Sequence, residues 1–128
     1  VYLLIMTLQQ QSKNNLQTNV DRTKEQLTKV KQFIQKNLHH GELNPRAIAS
    51  SVGVGLRHLH SLFETEEFTL SKYIKIQRLD MAKRLLSTSV NSITQIAFHV
   101  GFNDISHFNR CFKERFNITP SELRKRKN

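Results

Sequence analysis

At 128 residues the chain has room for one ordinary domain, or for two very small ones sharing a connector, and its single cysteine, Cys111, excludes a disulfide framework within the chain. Lys and Arg number 20 against 10 Asp and Glu, leaving a formal net charge of +10 and a pI near 10.2, a balance suited to polyanions. No stretch reaches the roughly 20 apolar residues of a membrane span, so packing alone must hold the fold, as in a reducing cytoplasm.

In chain order, the short apolar run Val1 to Leu8 reads as a cut end, and the polar stretch 9–20 as a linker closing a missing N-terminal domain. A first helix is predicted from about Arg22 to His39, with Asp21 as its cap and Leu27, Val30, Ile34 and Leu38 as its buried stripe. Asn44 caps a short second helix with Pro45 at its first position and Ile48, Ala49 and Val52 inward, ended by Gly53. A third runs from about Leu56 to Glu64 with Leu59, Leu62 and Phe63 inside. After a Thr69 cap, a fourth covers Leu70 to Leu86, with Tyr73, Ile74, Leu79, Ala82, Leu85 and Leu86 as core candidates and a length of about 26 Å at 1.5 Å per residue. A fifth follows Asn91 with Ile93, Ile96, Ala97 and Val100, stopping at Gly101. The sixth, from about Asp104 to Phe116, carries Phe108, Phe112 and Phe116 at four-residue spacing beside Cys111 and stops at Asn117. Thr119 and Glu122 around Pro120 form a capping box for a short last helix. The fold class is therefore all-α, with about seven helices.

The pattern Ile48, Ala49, Val52, Gly53 recurs as Ile96, Ala97, Val100, Gly101, 48 residues later. Beyond the glycine, Leu59 and Phe63 correspond to Phe108 and Phe112, with one extra residue in the second turn. Each copy has the form of a helix-turn-helix: a short helix, a tight glycine turn, and a second helix with one apolar face. Such a second helix offers its other face to a major groove. Here the outward residues are Arg57, His58, His60 and Ser61 in the first copy and Ile105, Ser106, His107, Asn109 and Arg110 in the second, with Lys113 placed for a phosphate. Successive major grooves on one side of B-DNA lie about 34 Å apart, so two units joined by a stiff helix would read both without dimerising. The organisation is a first unit over 21–68, a linker helix over 69–87 and a second unit over 88–128.

From about Gln26 to Arg124 the chain resembles the DNA-binding domain of AraC/XylS-family transcription regulators. The resemblance rests on Ile96, Ala97, Gly101, Phe102, Ser106, Phe108, Phe112, Lys113, Phe116 and Pro120, and in the linker helix on Tyr73, Ile74, Arg78, Leu79, Ala82, Leu85 and Leu86. The segment Arg57 to Glu64 is similar to a subgroup with a fused sensor domain that controls catabolic genes. The resemblance implies a monomeric domain with its third and sixth helices in adjacent major grooves of double-stranded DNA. It implies activation of transcription through RNA polymerase at the nucleoid, and a small-molecule effector acting only through the missing N-terminal domain. It assigns base contacts to Arg57, His60 and Ser61, and to Ile105, Ser106, His107 and Arg110. The sequence departs from the family where Gly55 replaces the usual Ser cap of the third helix, and where Glu66, Glu67 and Phe68 replace a helix-ending glycine. Ile105 offers only apolar contact, as to a thymine methyl.

Other chemistries find little support. The histidine pairs His39, His40 and His58, His60 lack the i, i+4 spacing of helical metal ligands, so no metal or cofactor is expected. Cys111, on the apolar side of its helix, reads as a core filler. Paired acids, a Gly-rich phosphate loop and a nucleophile beside a base are all lacking, which argues against an enzyme. Arg78 is expected in a salt bridge near Asp80 or with Glu122. The alternative function is a non-specific architectural DNA- or RNA-binding protein using the same charge without base readout.

Overall fold

A computed structural model describes the backbone of residues 2–127 and the side chains of residues 18–126. Among the described residues there are seven helices and no strands: α1 Tyr2–Lys36, α2 Pro45–Val52, α3 Leu56–Ser61, α4 Leu70–Thr88, α5 Ile93–His99, α6 Ile105–Phe116 and α7 Pro120–Lys127. The all-α class and the element order match expectation; α4 runs two residues further than expected, to Thr88, and three other boundaries differ as well. α1 continues N-terminally through the polar stretch 9–20, because that stretch holds neither Pro nor Gly and a helix anchored at one end propagates through polar residues readily. At its other end, α1 gives way to turns over 37–39, tightened by i→i+3 bonds such as Asn37 N–H to the Ile34 carbonyl. The apolar run Val1 to Leu8 has its side chains outside the described residues.

α3 is the third difference, ending at Ser61 rather than Glu64. Residues 62–65 are wound more tightly, with Phe63 N–H bonded to the His60 carbonyl and Glu64 N–H to the Ser61 carbonyl. Leu62 and Phe63 nevertheless keep their buried positions, since a change of winding over one turn leaves them on the same side.

The buried residues form two cores. Val30 and Ile34 of α1 and Leu38 in the turn after it pack with Ile48, Ala49, Leu59, Leu62, Phe63, Leu70 and Ile74 in the first. Leu79, Ala82 and Leu86 pack with Ile96, Ala97, Val100, Phe102, Phe108, Cys111 and Phe112 in the second. The 48-residue repeat thus extends back into the preceding helices, where Ile34 and Leu38 correspond to Ala82 and Leu86. α4 closes the first unit and opens the second. Its stripe steps four residues from Leu70 to Ile74 but five from Ile74 to Leu79, turning by about 140° at 3.6 residues per turn. That turn aims the two halves of one helix at different cores. Ile76, at the changeover, is buried, whereas Tyr73 and Leu85 are half-buried. Met81 touches both cores.

Candidate nucleic-acid interface

The two reading helices are set by the same local device. Asn44 accepts from Ala47 N–H to start α2, and Gly53, at φ 76°, turns the chain so that Val54 N–H bonds back to the Ala49 carbonyl at 3.0 Å. In the second unit Ser92 and Gln95 form a reciprocal capping box for α5, and Gly101, at φ 108°, lets Phe102 N–H reach the Ala97 carbonyl at 3.0 Å. Both bonds close a six-residue C-terminal turn whose left-handed residue glycine adopts without steric cost.

The starts of those following helices differ. Asp104 caps α6, its carboxylate accepting from Ser106 N–H at 2.8 Å and His107 N–H at 3.1 Å, and Asn117 ends the helix at φ 59°. α3 begins at Gly55 with no side-chain cap, and at 6 residues it is half the length of the 12-residue α6. At the last helix Thr119 accepts from Glu122 N–H at 3.1 Å.

Leu59, Phe108 and Phe112 are fully buried, which leaves Arg57, His58 and His60 exposed on α3 and Ser106, His107, Asn109, Arg110 and Lys113 exposed on α6. Three of the expected site residues are less free. His58 Nε2 donates to Gln26 Oε1 of α1 at 2.8 Å, tying its ring to the scaffold. Ser61 is half-buried and its hydroxyl donates to the His58 carbonyl at 2.7 Å, while Ile105 is half-buried against the second core. His107 lies against the Phe102 ring, 5.8 Å between centroids, and 3.7 Å from Cys111 Sγ. Burial pushes the Cys111 thiol up from its ordinary pKa, so it stays protonated as a core filler.

Between the two units an open groove of about 630 Å³ is lined by Asn44 and Pro45 at the start of α2, Lys75 and Arg78 of α4, and His107 and Arg110 of α6. Asp104, its one acid, is already engaged as the α6 cap. The groove therefore carries the same sign of charge as the reading faces beside it.

A helix-turn-helix domain family matches residues 48–126, from α2 into α7. The solved structure of a transcriptional regulator from Chromobacterium violaceum, described as one of the AraC-type DNA-binding domain-containing proteins, is 33% identical with a TM-score of 0.76. The match covers 84% of this chain and 96% of that one. The chain belongs to the AraC-type DNA-binding domains. The transcriptional activator RhrA of Rhizobium meliloti (strain 1021) is 36% identical over 101 residues, 77% of this chain and 32% of that protein. The HTH-type transcriptional activator RhaS of Escherichia coli O157:H7 is 33% identical over 113 residues, 88% of this chain and 40% of its own length. The chain spans about a third to two-fifths of the length of these curated relatives. All ten expected contact residues fall within the matched span.

Two residues of this AraC-type domain do work that its periodicity conceals. Among the described residues Arg78 has no carboxylate partner: Nε donates to the Leu38 carbonyl at 3.1 Å and Nη2 to the His40 carbonyl at 2.7 Å, closing the chain just after α1. Asp80 pairs instead with Arg115, at 3.4 Å. Half-burial among dipoles lowers the pKa of Arg78, and no carboxylate offsets it. Arg124, first of the basic residues 124–127, reaches the Leu86 carbonyl in the last turn of α4 and the Ser89 and Asn91 carbonyls just beyond it. In both units, then, the helix that follows the reading helix, α4 or α7, sends an arginine back to the end of the helix that opens the unit, α1 or α4. The only trace of this in the sequence is an arginine on an otherwise apolar-flanked helix, a signal shared with ordinary surface charges.

Proposed function

We propose that this domain binds a specific double-stranded DNA site with α3 and α6 in adjacent major grooves, and that the regulator containing it activates transcription. Arg57, His60 and Ser61 read one half-element; Ser106, His107, Asn109 and Arg110 read the other, with Ile105 packing on a thymine methyl. Lys113 holds a phosphate, and His58, tied to Gln26, orients α3 more than it reads bases. RNA polymerase is the partner through which activation occurs, and an effector acts through a further domain of the regulator. The observation that carries the reading is the pair of equivalent glycine-turned units, each with its reading helix exposed on one side and anchored by fully buried residues on the other. Net positive charge by itself favours a non-specific binder equally, whereas two exposed helices bearing Arg, His, Ser and Asn side chains favour base readout.

The test is selection of bound duplexes from a random pool at physiological salt. The expected product is a consensus with two half-elements about one helical turn apart. A pool that emerges without consensus would establish the non-specific alternative.

A further inference from the structure

The two units also touch each other directly. A Cβ on Gly101, in the turn of the second unit, would collide with the Leu38 carbonyl in the turn after α1 and lie 2.6 Å from Arg78 Nε. A Cβ on Gly41, in the loop after α1, would lie 2.6 Å from Asn103 Oδ1 of the second unit. Arg78 is therefore wedged between the capped end of α1 and the glycine turn that aims α6. It also sits on α4 where the buried stripe changes from one core to the other.

From this geometry we propose that Arg78, wedged under Gly101, is the positioning residue that fixes the second reading helix relative to the first, so that the domain accepts one half-element spacing. The inference rests on the two-groove reading above and adds what sets its ruler. Rotation of the second unit about α4 would lift Gly101 from the Leu38 carbonyl and from the Arg78 guanidinium, which its bonds to Leu38 and His40 hold against the first unit. A planar fork meets two carbonyls at once, and a lysine ammonium, a single charged point, does not reproduce that reach. One base pair of spacer displaces a half-element by about 3.4 Å along the axis and turns it, so a small rotation at this joint becomes a change in the preferred spacing.

Binding is measured by titrating the chain with duplexes whose spacer is lengthened or shortened by one or two base pairs, for wild type, Arg78→Lys and Arg124→Lys. Arg124→Lys weakens the sister clamp inside the second unit, lowering stability without touching the joint. Wild type is expected to lose about ten-fold or more in Kd per base pair of displacement. Arg78→Lys should flatten that profile to about three-fold or less while still preferring each half-element over scrambled sequence. Arg124→Lys should lower the Tm and keep the sharp profile. An Arg78→Lys profile as sharp as wild type overturns the proposal, as does an Arg124→Lys profile equally flattened, since stability alone would then explain both. A wild type indifferent to sequence overturns the function reading instead, a distinct result. Should Arg78→Lys not fold, the profile is read on Arg78→Gln, whose shorter single amide cannot span both the Leu38 and His40 carbonyls; a profile as sharp as wild type there overturns the proposal.

Discussion

Arg110 and Lys113 lie three residues apart on one exposed helix face, yet their expected roles separate under mutation. A guanidinium that meets guanine O6 and N7 reads a base, so Arg110→Ala should cost about 1–3 kcal/mol against one base pair and relax preference there alone. A lysine on phosphate releases a counterion whatever the sequence, so Lys113→Ala should weaken every duplex alike. The slope of log K against log salt should then shrink by about 0.9. Titrations over a salt series with matched and single-mismatch duplexes resolve the two; uniform weakening by Arg110→Ala would remove it from base readout. His58 shows why exposure is an incomplete guide at this scale. It is as exposed as its neighbours by class, but its ring nitrogen already has a partner in Gln26.

Among the elements, α3 is the one built with least local support. Gly55 holds the N-cap position at φ −73° and ψ 156° without a side-chain bond, and nothing lies within 4 Å of a Cβ placed there. Those angles suit any L-residue, so Gly55→Ser removes unfolded-state freedom and adds a cap oxygen. The expected gain is about 0.5–1 kcal/mol, a rise in Tm of about 3–5 °C by thermal denaturation. A fall in Tm would mean that the glycine serves a contact other than capping. α6 needs no such help, since Asp104 at one end and Asn117 at the other already close it. The unequal helices follow from this: one unit has a capped 12-residue reader, the other a 6-residue reader held mainly by Leu59 and the tight winding after Ser61.

For the whole molecule, a shared α4 and a direct joint at Gly101 make the two cores one cooperative structure. Ile48→Ala and Ile96→Ala each empty a fully buried site and should each cost about 2–5 kcal/mol. Calorimetry should show each variant lowering one common transition. A split into two, with only the mutated half shifted, would show that the units unfold independently.

Most of this architecture was legible in the chain itself. Apolar spacing, caps and turn glycines located α2 to α7 within a few residues, because those signals act over three or four positions and need no distant partner; the start of α1 was missed, Asp21 lying inside the helix where a cap was expected. The repeat of Ile48-Ala49 in Ile96-Ala97 exposed the two units, and with them the faces bearing Arg57 and Arg110. What only the tertiary structure decided was where long polar side chains end. Arg78, expected opposite a carboxylate, closes α1 through two carbonyls; Arg124 closes α4; His58 is claimed by Gln26; and Gly41 and Gly101 are small because the other unit lies against them. A backbone carbonyl freed at a helix end attracts an arginine from any sequence distance and leaves no mark in composition or period, so the fit between the units becomes visible only once the chain is folded.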